Sequence, residues 1–362
     1  RRWWVLSWLC CLLGMGTKEV MVSAPVIVLL YDRTFASGTF REAWKRHRRF
    51  HLALAGTWIP LVLLALRTGT RGGTSGFGRQ AMPLAYYATQ PRALVRYLGQ
   101  CFWPRPLIFD YGTQWVHSAA GVVPYAIVLA ALALLTVAAL RRWPAAGFLG
   151  TFSFAILSVT SLVPGARQTS AEQRMYLPLA AVLALVVCGA YRLAAGCSPR
   201  FTRRAAPIAV GVLAIVLAAG TFRRNRDYRS AVALYADNLR KAPGNAFAHD
   251  DLAVALARHG QLAEALPQYR DALRLNPGMI NAYEDLANAC RSLGRLAEAE
   301  AACRGALNLN PNYAPARYTL GLVYLKAGRK ADAEAQFNDT VLLDPSNTEA
   351  WARLRALRGS GR

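Results

Sequence analysis

The sequence predicts an all-α protein in two parts: a polytopic bundle of transmembrane helices, followed by an α-solenoid of paired helices. Two observations predict this fold class. Long apolar segments fill the first two thirds of the 362-residue chain, and about 18 or more apolar residues without charge can cross a bilayer as a helix. A pattern with a period of 34 residues fills the last third, and such a period is typical of stacked helical hairpins.

Charge is distributed unevenly along the chain. Residues 1–229 carry 27 of the 43 Lys and Arg but only six acidic residues, a net charge of +21, whereas residues 230–362 carry a net charge of +2. The basic residues lie in short segments between apolar ones, as is usual in membrane proteins. We therefore interpret the pI of about 10.4 as a sign of contact with membrane lipid and its phosphate groups, and not with nucleic acid.

The apolar segments define a predicted transmembrane domain over residues 1–226. Five segments are interpreted as spanning helices because lipid offers the backbone no other hydrogen-bond partner: residues 50–66, 122–140, 143–166, 175–191 and 205–222. Residues 3–17 and 20–31 are either two elements or one broken helix. Because the chain begins Arg-Arg-Trp-Trp without Met, we expect it to be the C-terminal part of a longer protein.

The loop charges predict an orientation for this domain. Residues 33–51, 141–142 and 200–204 are basic and share one face, which the positive-inside rule places in the cytoplasm. The C-terminal domain, residues 227–362, then lies outside the cytoplasm. We expect a multi-pass protein of the bacterial inner membrane.

The 34-residue period is carried by small residues, glycines and prolines at matching positions. Each period contains Leu followed by a small residue, then Gly, Ala, a larger residue and Pro: Leu252, Ala253, Gly260, Ala265, Tyr269 and Pro277 in the first. The glycine ends one helix because it adopts positive φ at low cost, and the small residues let two helices approach closely. One hairpin cannot bury its apolar face alone, so successive hairpins must stack.

This pattern resembles the tetratricopeptide repeat family. The resemblance predicts three full repeats, residues 246–279, 280–313 and 314–347, with flanking helices at 227–241 and 348–357. Pro267 departs from the pattern and is expected to kink its helix. Cys290 and Cys303 occupy inward positions, where they form either a disulfide or two packed thiols.

In the tetratricopeptide repeat family the first helices line a groove that binds peptide. The resemblance therefore implies a peptide or protein partner, held by polar residues at matching groove positions: Asp250, Glu284, Asn288, Arg291, Tyr318 and Lys326. The alternative is that these residues only form solvated helix faces.

Three further segments carry a second resemblance: KEVMVSAPVIVLLYD at 18–32, YLGQCFWPRPLIFDYG at 97–112 and AEQRMYLP at 171–178. Together with the repeats they resemble bacterial relatives of the transmembrane O-mannosyltransferases of the GT-C class. This resemblance implies sugar transfer from a polyprenyl-phosphate donor to a protein acceptor. The catalytic carboxylate of that class would lie upstream of Arg1, so no catalytic residue is assigned here.

The candidate polar site for a lipid phosphate comprises six residues of these segments: Lys18, Glu19, Arg105, Asp110, Glu172 and Arg174. Arginine and lysine would bind the phosphate, and the carboxylates would orient them. The alternative is that the arginines only meet lipid headgroups. We expect no cofactor and no metal site, since the seven cysteines show no zinc spacing. A non-enzymatic membrane scaffold that recruits a protein partner is the alternative function.

Overall fold

The computed structural model describes residues 2–17, 19–68, 83–103, 106–116, 118–162, 172–194 and 199–359. Within these ranges every regular element is a helix and none is a strand, so the predicted all-α class is confirmed. The chain divides into two compact units, Arg1–Ala219 and Gly220–Arg362.

The described residues of the first unit form nine α-helices. Their bounds are α1 Arg2–Thr17, α2 Ala24–Tyr31, α3 Phe40–Gly56, α4 Trp58–Thr68, α5 Pro83–Phe102, α6 Ala119–Arg142, α7 Pro144–Leu162, α8 Tyr176–Ala194 and α9 Pro199–Asp227, whose last residues belong to the second unit. Short 3₁₀ turns cover Glu19–Ser23 and Glu172–Met175, and a π-helical turn covers Asp32–Ser37. Residues 3–17 and 20–31 therefore form separate elements.

Helices α6 and α7 form a closely packed antiparallel pair. A Cβ atom added to Gly147 would lie 2.3 Å from the backbone nitrogen of Leu140, and one added to Gly150 would lie 2.8 Å from the Thr136 hydroxyl oxygen. Both glycines therefore allow the backbones to approach closely, as small residues do between membrane helices. Within the 24 residues of α6, an 18-residue stretch has a mean hydropathy of 2.4, and none of that stretch is buried in the protein.

The predicted spanning helix over residues 50–66 is wrong, because the chain divides there into α3 and α4. Thr57 separates the two helices, and its hydroxyl donates to the Leu54 carbonyl oxygen over 2.6 Å. Pro60 has no N–H to continue the helical bonding, and its ring would clash with the carbonyl four residues earlier, at Gly56. The helix therefore ends at Gly56 and a new one begins at Trp58.

The second unit continues from the end of α9 through eight further helices. Their bounds are α10 Ala231–Lys241, α11 Ala246–Arg258, α12 Leu262–Leu275, α13 Ile280–Ser292, α14 Leu296–Leu309, α15 Ala314–Lys326, α16 Lys330–Leu343 and α17 Thr348–Gly359. The pairs α11–α12, α13–α14 and α15–α16 are the three predicted hairpins. The glycines that end the first helices have φ of +77° at Gly260 and Gly294 and +79° at Gly328, as the pattern predicts.

The core of this unit is built from the repeated small and large positions. Ala253, Ala287, Ala265 and Ala299 are fully buried, and Phe337 fills the space beside Gly321. The core is continuous from the first repeat to α17, which is how stacked hairpins bury apolar faces that none could bury alone.

Two predictions about single residues of the repeats can be compared with the structure. Helix α12 runs from Leu262 to Leu275 through Pro267, so the proline does not end the helix. Cys290 and Cys303 are buried free thiols. Burial, followed by the charge of Glu284, raises the pKa of the Cys303 thiol to about 12, which keeps it protonated and unreactive.

Candidate functional site

The first helices of the repeats, α11, α13 and α15, form the inner face of the solenoid. Helix α11 contacts α13 and α13 contacts α15, whereas the second helices α12 and α14 pack onto the following first helix. The side on which successive repeats approach most closely is the concave one. The groove residues predicted from the sequence all lie on these three helices.

Glu284 lies on α13 and is hydrogen-bonded to Tyr313, the residue that precedes α15. Its Oε2 accepts a hydrogen bond of 2.7 Å from the hydroxyl of Tyr313, and that hydroxyl also lies 3.1 Å from Oδ1 of Asn281. Burial and this hydrogen bond to Glu284 raise the pKa of Tyr313. The Tyr313 hydroxyl therefore holds the Glu284 carboxylate in position.

Further carboxylates lie on α11 and α13, the first helices of the first two repeats. Burial, followed by the neighbouring charge of Glu284, raises the pKa of Asp285. Burial also raises the pKa of Tyr269, and Asp285 and Asp250 raise it further. Asp250, Glu284 and Asp285 thus combine into one acidic region next to Tyr269, which we call the acidic cluster.

Basic residues lie at the far ends of the same helices. Arg258, Arg291 and Lys326 all occupy the last turn of a first helix, where a positive charge complements the helix dipole. Lys326 donates a hydrogen bond of 2.7 Å to the Arg291 carbonyl oxygen, and Nη2 of Arg291 lies 3.4 Å from Oδ1 of Asn288. Basic groups therefore border the carboxylates of the inner face, and Arg258 is close enough to Asp285 and Tyr269 to oppose the rise in the pKa of both.

Tyr318 connects the third repeat to the final helix. Its hydroxyl donates to Oε2 of Glu349 in α17 over 2.8 Å. Burial and the hydrogen bond to Glu349 raise the pKa of Tyr318. Tyr318, Asn288 and Glu284 therefore take part in contacts within the array in addition to lying on the predicted groove.

The predicted lipid-phosphate site is only partly within the described residues. Lys18 and Arg105 lie outside them, and so do the side chains of Glu19 and Glu172. Asp110 is buried, and its Oδ1 accepts from the Gly112 backbone N–H over 2.7 Å, which closes a turn. Arg174 donates from Nη1 to the hydroxyl of the buried Tyr86 over 3.2 Å.

Comparison with known families covers the second unit and the end of α9. Tetratricopeptide repeat models match residues 216–280, 251–314 and 292–357. Residues 216–357 carry tetratricopeptide repeats. These matches begin after the three segments that resemble the O-mannosyltransferases, so that resemblance stays a hypothesis. No curated protein matches the sequence.

Several solved repeat structures are similar to the same part of the chain. MamA is 26% identical, with 38% of this chain and 82% of MamA covered and a TM-score of 0.36. The first repeat domain of Spaghetti (RPAP3), bound to an HSP90 peptide, is 23% identical, with 32% and 91% covered and a TM-score of 0.31. The second repeat domain of human RPAP3, in complex with an HSP70 peptide, is 22% identical, with 31% and 94% covered and a TM-score of 0.30.

One cluster of side chains in the first unit that could hold a metal ion was not predicted from the sequence. Asp32, His47 and His51 come together there, with their ligand atoms within 4.8 Å of one another. The prediction that the chain has no metal site relied on cysteine spacing and did not consider these histidines. Their separation by four residues on one helix was the available signal.

Proposed function

We propose that this protein is a membrane-anchored adaptor whose repeats hold a basic segment of a partner protein. The observation that carries the peptide part is the acidic cluster of Asp250, Glu284 and Asp285 on the inner face of a tetratricopeptide array. Burial and the neighbouring charge of Glu284 raise the pKa of Asp285, and a lysine or arginine of the partner would offset the repulsion between these two carboxylates. Charge-assisted hydrogen bonds to Glu284 would then give the contact its strength.

The membrane part of the proposal rests on exposed apolar helices. At about 1.5 Å per residue, the 24 residues of α6 are long enough for the roughly 30 Å hydrocarbon core of a bilayer. Leu134 and Leu135 of this helix are 71% and 65% exposed, and Ile215 of α9 is 71% exposed. Exposing such an apolar surface to water costs free energy, and contact with lipid removes that cost.

Binding of two labelled peptides of equal length tests the peptide part. The complete chain in detergent is titrated with a Lys/Arg-rich peptide and, separately, with an Asp/Glu-rich one, and fluorescence anisotropy is measured. We expect the basic peptide to bind more tightly. Glu284→Gln combined with Asp285→Asn should weaken its binding by roughly tenfold or more, because each charge-assisted hydrogen bond contributes about 1.5–3 kcal/mol.

A matched control removes two carboxylates outside the groove. Asp332→Asn with Glu334→Gln changes the net charge by the same amount on α16, where these residues pair with Arg329 and Arg358. Binding of the basic peptide should be unaffected in this variant. The proposed groove specificity would be rejected if both double variants lost the same affinity for the basic peptide, or if the acidic peptide bound more tightly than the basic one.

A second proposal is that the complete protein transfers a sugar from a polyprenyl-phosphate donor to an acceptor presented by the repeats. It is supported by the order of the three sequence segments and by Arg174, which lies at the start of a predicted span and bonds Tyr86. Arg174→Ala in the complete protein should lower sugar transfer by about 100-fold, as loss of one charge-stabilising donor does. Arg192→Ala, at the other end of α8, serves as the control, and normal transfer by the Arg174 variant would remove this residue from the site.

A further inference from the structure

Asp32 accepts hydrogen bonds from two histidines through one carboxylate oxygen. Nδ1 of His47 and Nε2 of His51 each lie 2.8 Å from its Oδ2. Asp32 is 7% exposed and His51 is 5% exposed, while the His47 side chain is 32% exposed. Asp32 and His51 are therefore buried, and the cluster is accessible to solvent at His47.

The local backbone explains why these three residues meet. The π-helical turn Asp32–Ser37 and Gly38, with φ of +80°, reverse the chain after α2. Thr39 caps α3 by accepting from the Glu42 N–H, and α3 then packs back against α2. His47 and His51 are four residues apart on α3, which is kinked at His47 with φ of −126° and ψ of 19°, and a nitrogen of each ring faces Asp32.

The rings and the carboxylate are further oriented by a second layer of contacts. Ser37 donates its hydroxyl to Oδ1 of Asp32 over 2.8 Å, which leaves Oδ2 to the histidines. The Trp4 ring contacts His47 edge to face at 5.6 Å. Contacts of this kind hold the ligands of a metal site in position.

Two imidazole nitrogens and one carboxylate oxygen form a ligand set for a divalent transition metal. We propose that Asp32, His47 and His51 bind a metal ion of the zinc class. With metal–ligand bonds of about 2.0–2.1 Å, neighbouring ligands of a tetrahedral site lie roughly 3.3 Å apart. The two nitrogen–carboxylate separations of 2.8 Å therefore need to widen by about 0.5 Å, and the two histidine nitrogens, which lie within 4.8 Å of each other, need to adopt the same spacing.

A histidine nitrogen binds a cation only when it carries no proton, so occupation of the site releases protons to solvent. The half-exposed His47 leaves one side open for entry of the ion and for a fourth ligand.

Cobalt titration of the complete chain in detergent, after treatment with a chelator, tests the site. We expect one Co²⁺ per chain with the visible spectrum of a tetrahedral ion, displaced by Zn²⁺. His51→Gln and His47→Gln should each lose this spectrum, and Ser37→Ala should weaken binding by about tenfold or more, as second-layer changes do. His259→Gln, at the end of α11, should bind as the wild type does.

Two results would overturn the proposal. One is the lack of a tetrahedral cobalt spectrum in the wild-type chain. The other is an unchanged affinity in both histidine variants that retain wild-type helicity. Should His51→Gln fail to fold, the more exposed His47→Gln decides the question by the same titration. Peptide binding and sugar transfer play no part in this readout, so the metal site is tested independently of the proposed function.

Discussion

At the scale of single residues, Asp237 shows how one charge organises the start of the repeat unit. Its carboxylate lies 2.8 Å from Arg224 Nη1, 2.9 Å from Arg240 Nη2 and 2.6 Å from Lys241 Nζ. Burial opposes ionisation of Asp237, but the hydrogen bonds from Lys241 and Arg224 outweigh it and lower the pKa of Asp237. The ion cluster thus ties the end of α9 to α10.

We predict that Asp237→Asn destabilises the repeat unit by about 1–3 kcal/mol, the usual cost of leaving a buried charged partner unsatisfied. Because the pKa of Asp237 is lowered on folding, its contribution is present above the unfolded pKa of about 3.9. It is lost as the pH falls through the lower folded value. Urea unfolding followed by circular dichroism should show a difference between wild type and variant at pH 7 that shrinks below about pH 4.

Folding shifts the pKa of Asp285, in the acidic cluster, in the direction opposite to that of Asp237. Its pKa is raised on folding, so its ionisation opposes folding at neutral pH. We predict that Asp285→Asn leaves the repeat unit as stable or more stable at pH 7, in contrast to Asp237→Asn. The same unfolding measurement compares the two variants directly. A clear loss of stability in Asp285→Asn would show that this carboxylate makes a necessary contact.

At the scale of elements, the hairpins depend on a small residue opposite a larger one. A Cβ atom added to Gly321 would lie 2.6 Å from the Phe337 ring, and Phe337 is fully buried. The first two repeats have Ala253 and Ala287 at this position. Glycine in the third repeat therefore compensates for the phenylalanine ring, and α15 and α16 approach closely as a result.

We predict that Gly321→Ala destabilises the third hairpin by about 1–3 kcal/mol, the usual cost of overpacking a dense core. Adding Phe337→Leu should recover part of this loss, because the smaller side chain makes room for the new methyl group. Thermal unfolding of both single variants and the double variant measures the coupling between the two sites. Additive losses would show that the two residues do not share one packing constraint.

At the scale of the whole molecule, the two units differ in what surrounds them. The repeat unit buries a continuous core of its own, whereas α6 leaves its apolar residues exposed. We predict that the intact chain stays with the membrane fraction after alkaline carbonate washing and is released by detergent. Recovery of the chain in the aqueous wash would contradict the proposed anchor.

The sequence by itself determined the repeat unit, because a period of 34 residues imposes the same local structure each time. Gly260, Gly294 and Gly328 end the first helices where the pattern predicts. The existence of all-helical structure in the first part followed from its apolar composition. These features depend on residues close together in the chain, whose conformational preferences do not require tertiary contacts and agree with the final fold.

Only the tertiary structure decided which distant residues meet. Three features depend on how the chain reverses and packs: the division at Thr57, the bond from Glu284 in α13 to Tyr313 at the start of α15, and the meeting of Asp32 with His47 and His51. No repeated sequence pattern marks the chain reversal at Gly38 that brings Asp32 close to α3. Contacts across such turns are fixed by packing in three dimensions. Local sequence patterns therefore predicted most of the helices, whereas the contacts between distant residues became known only from the tertiary structure.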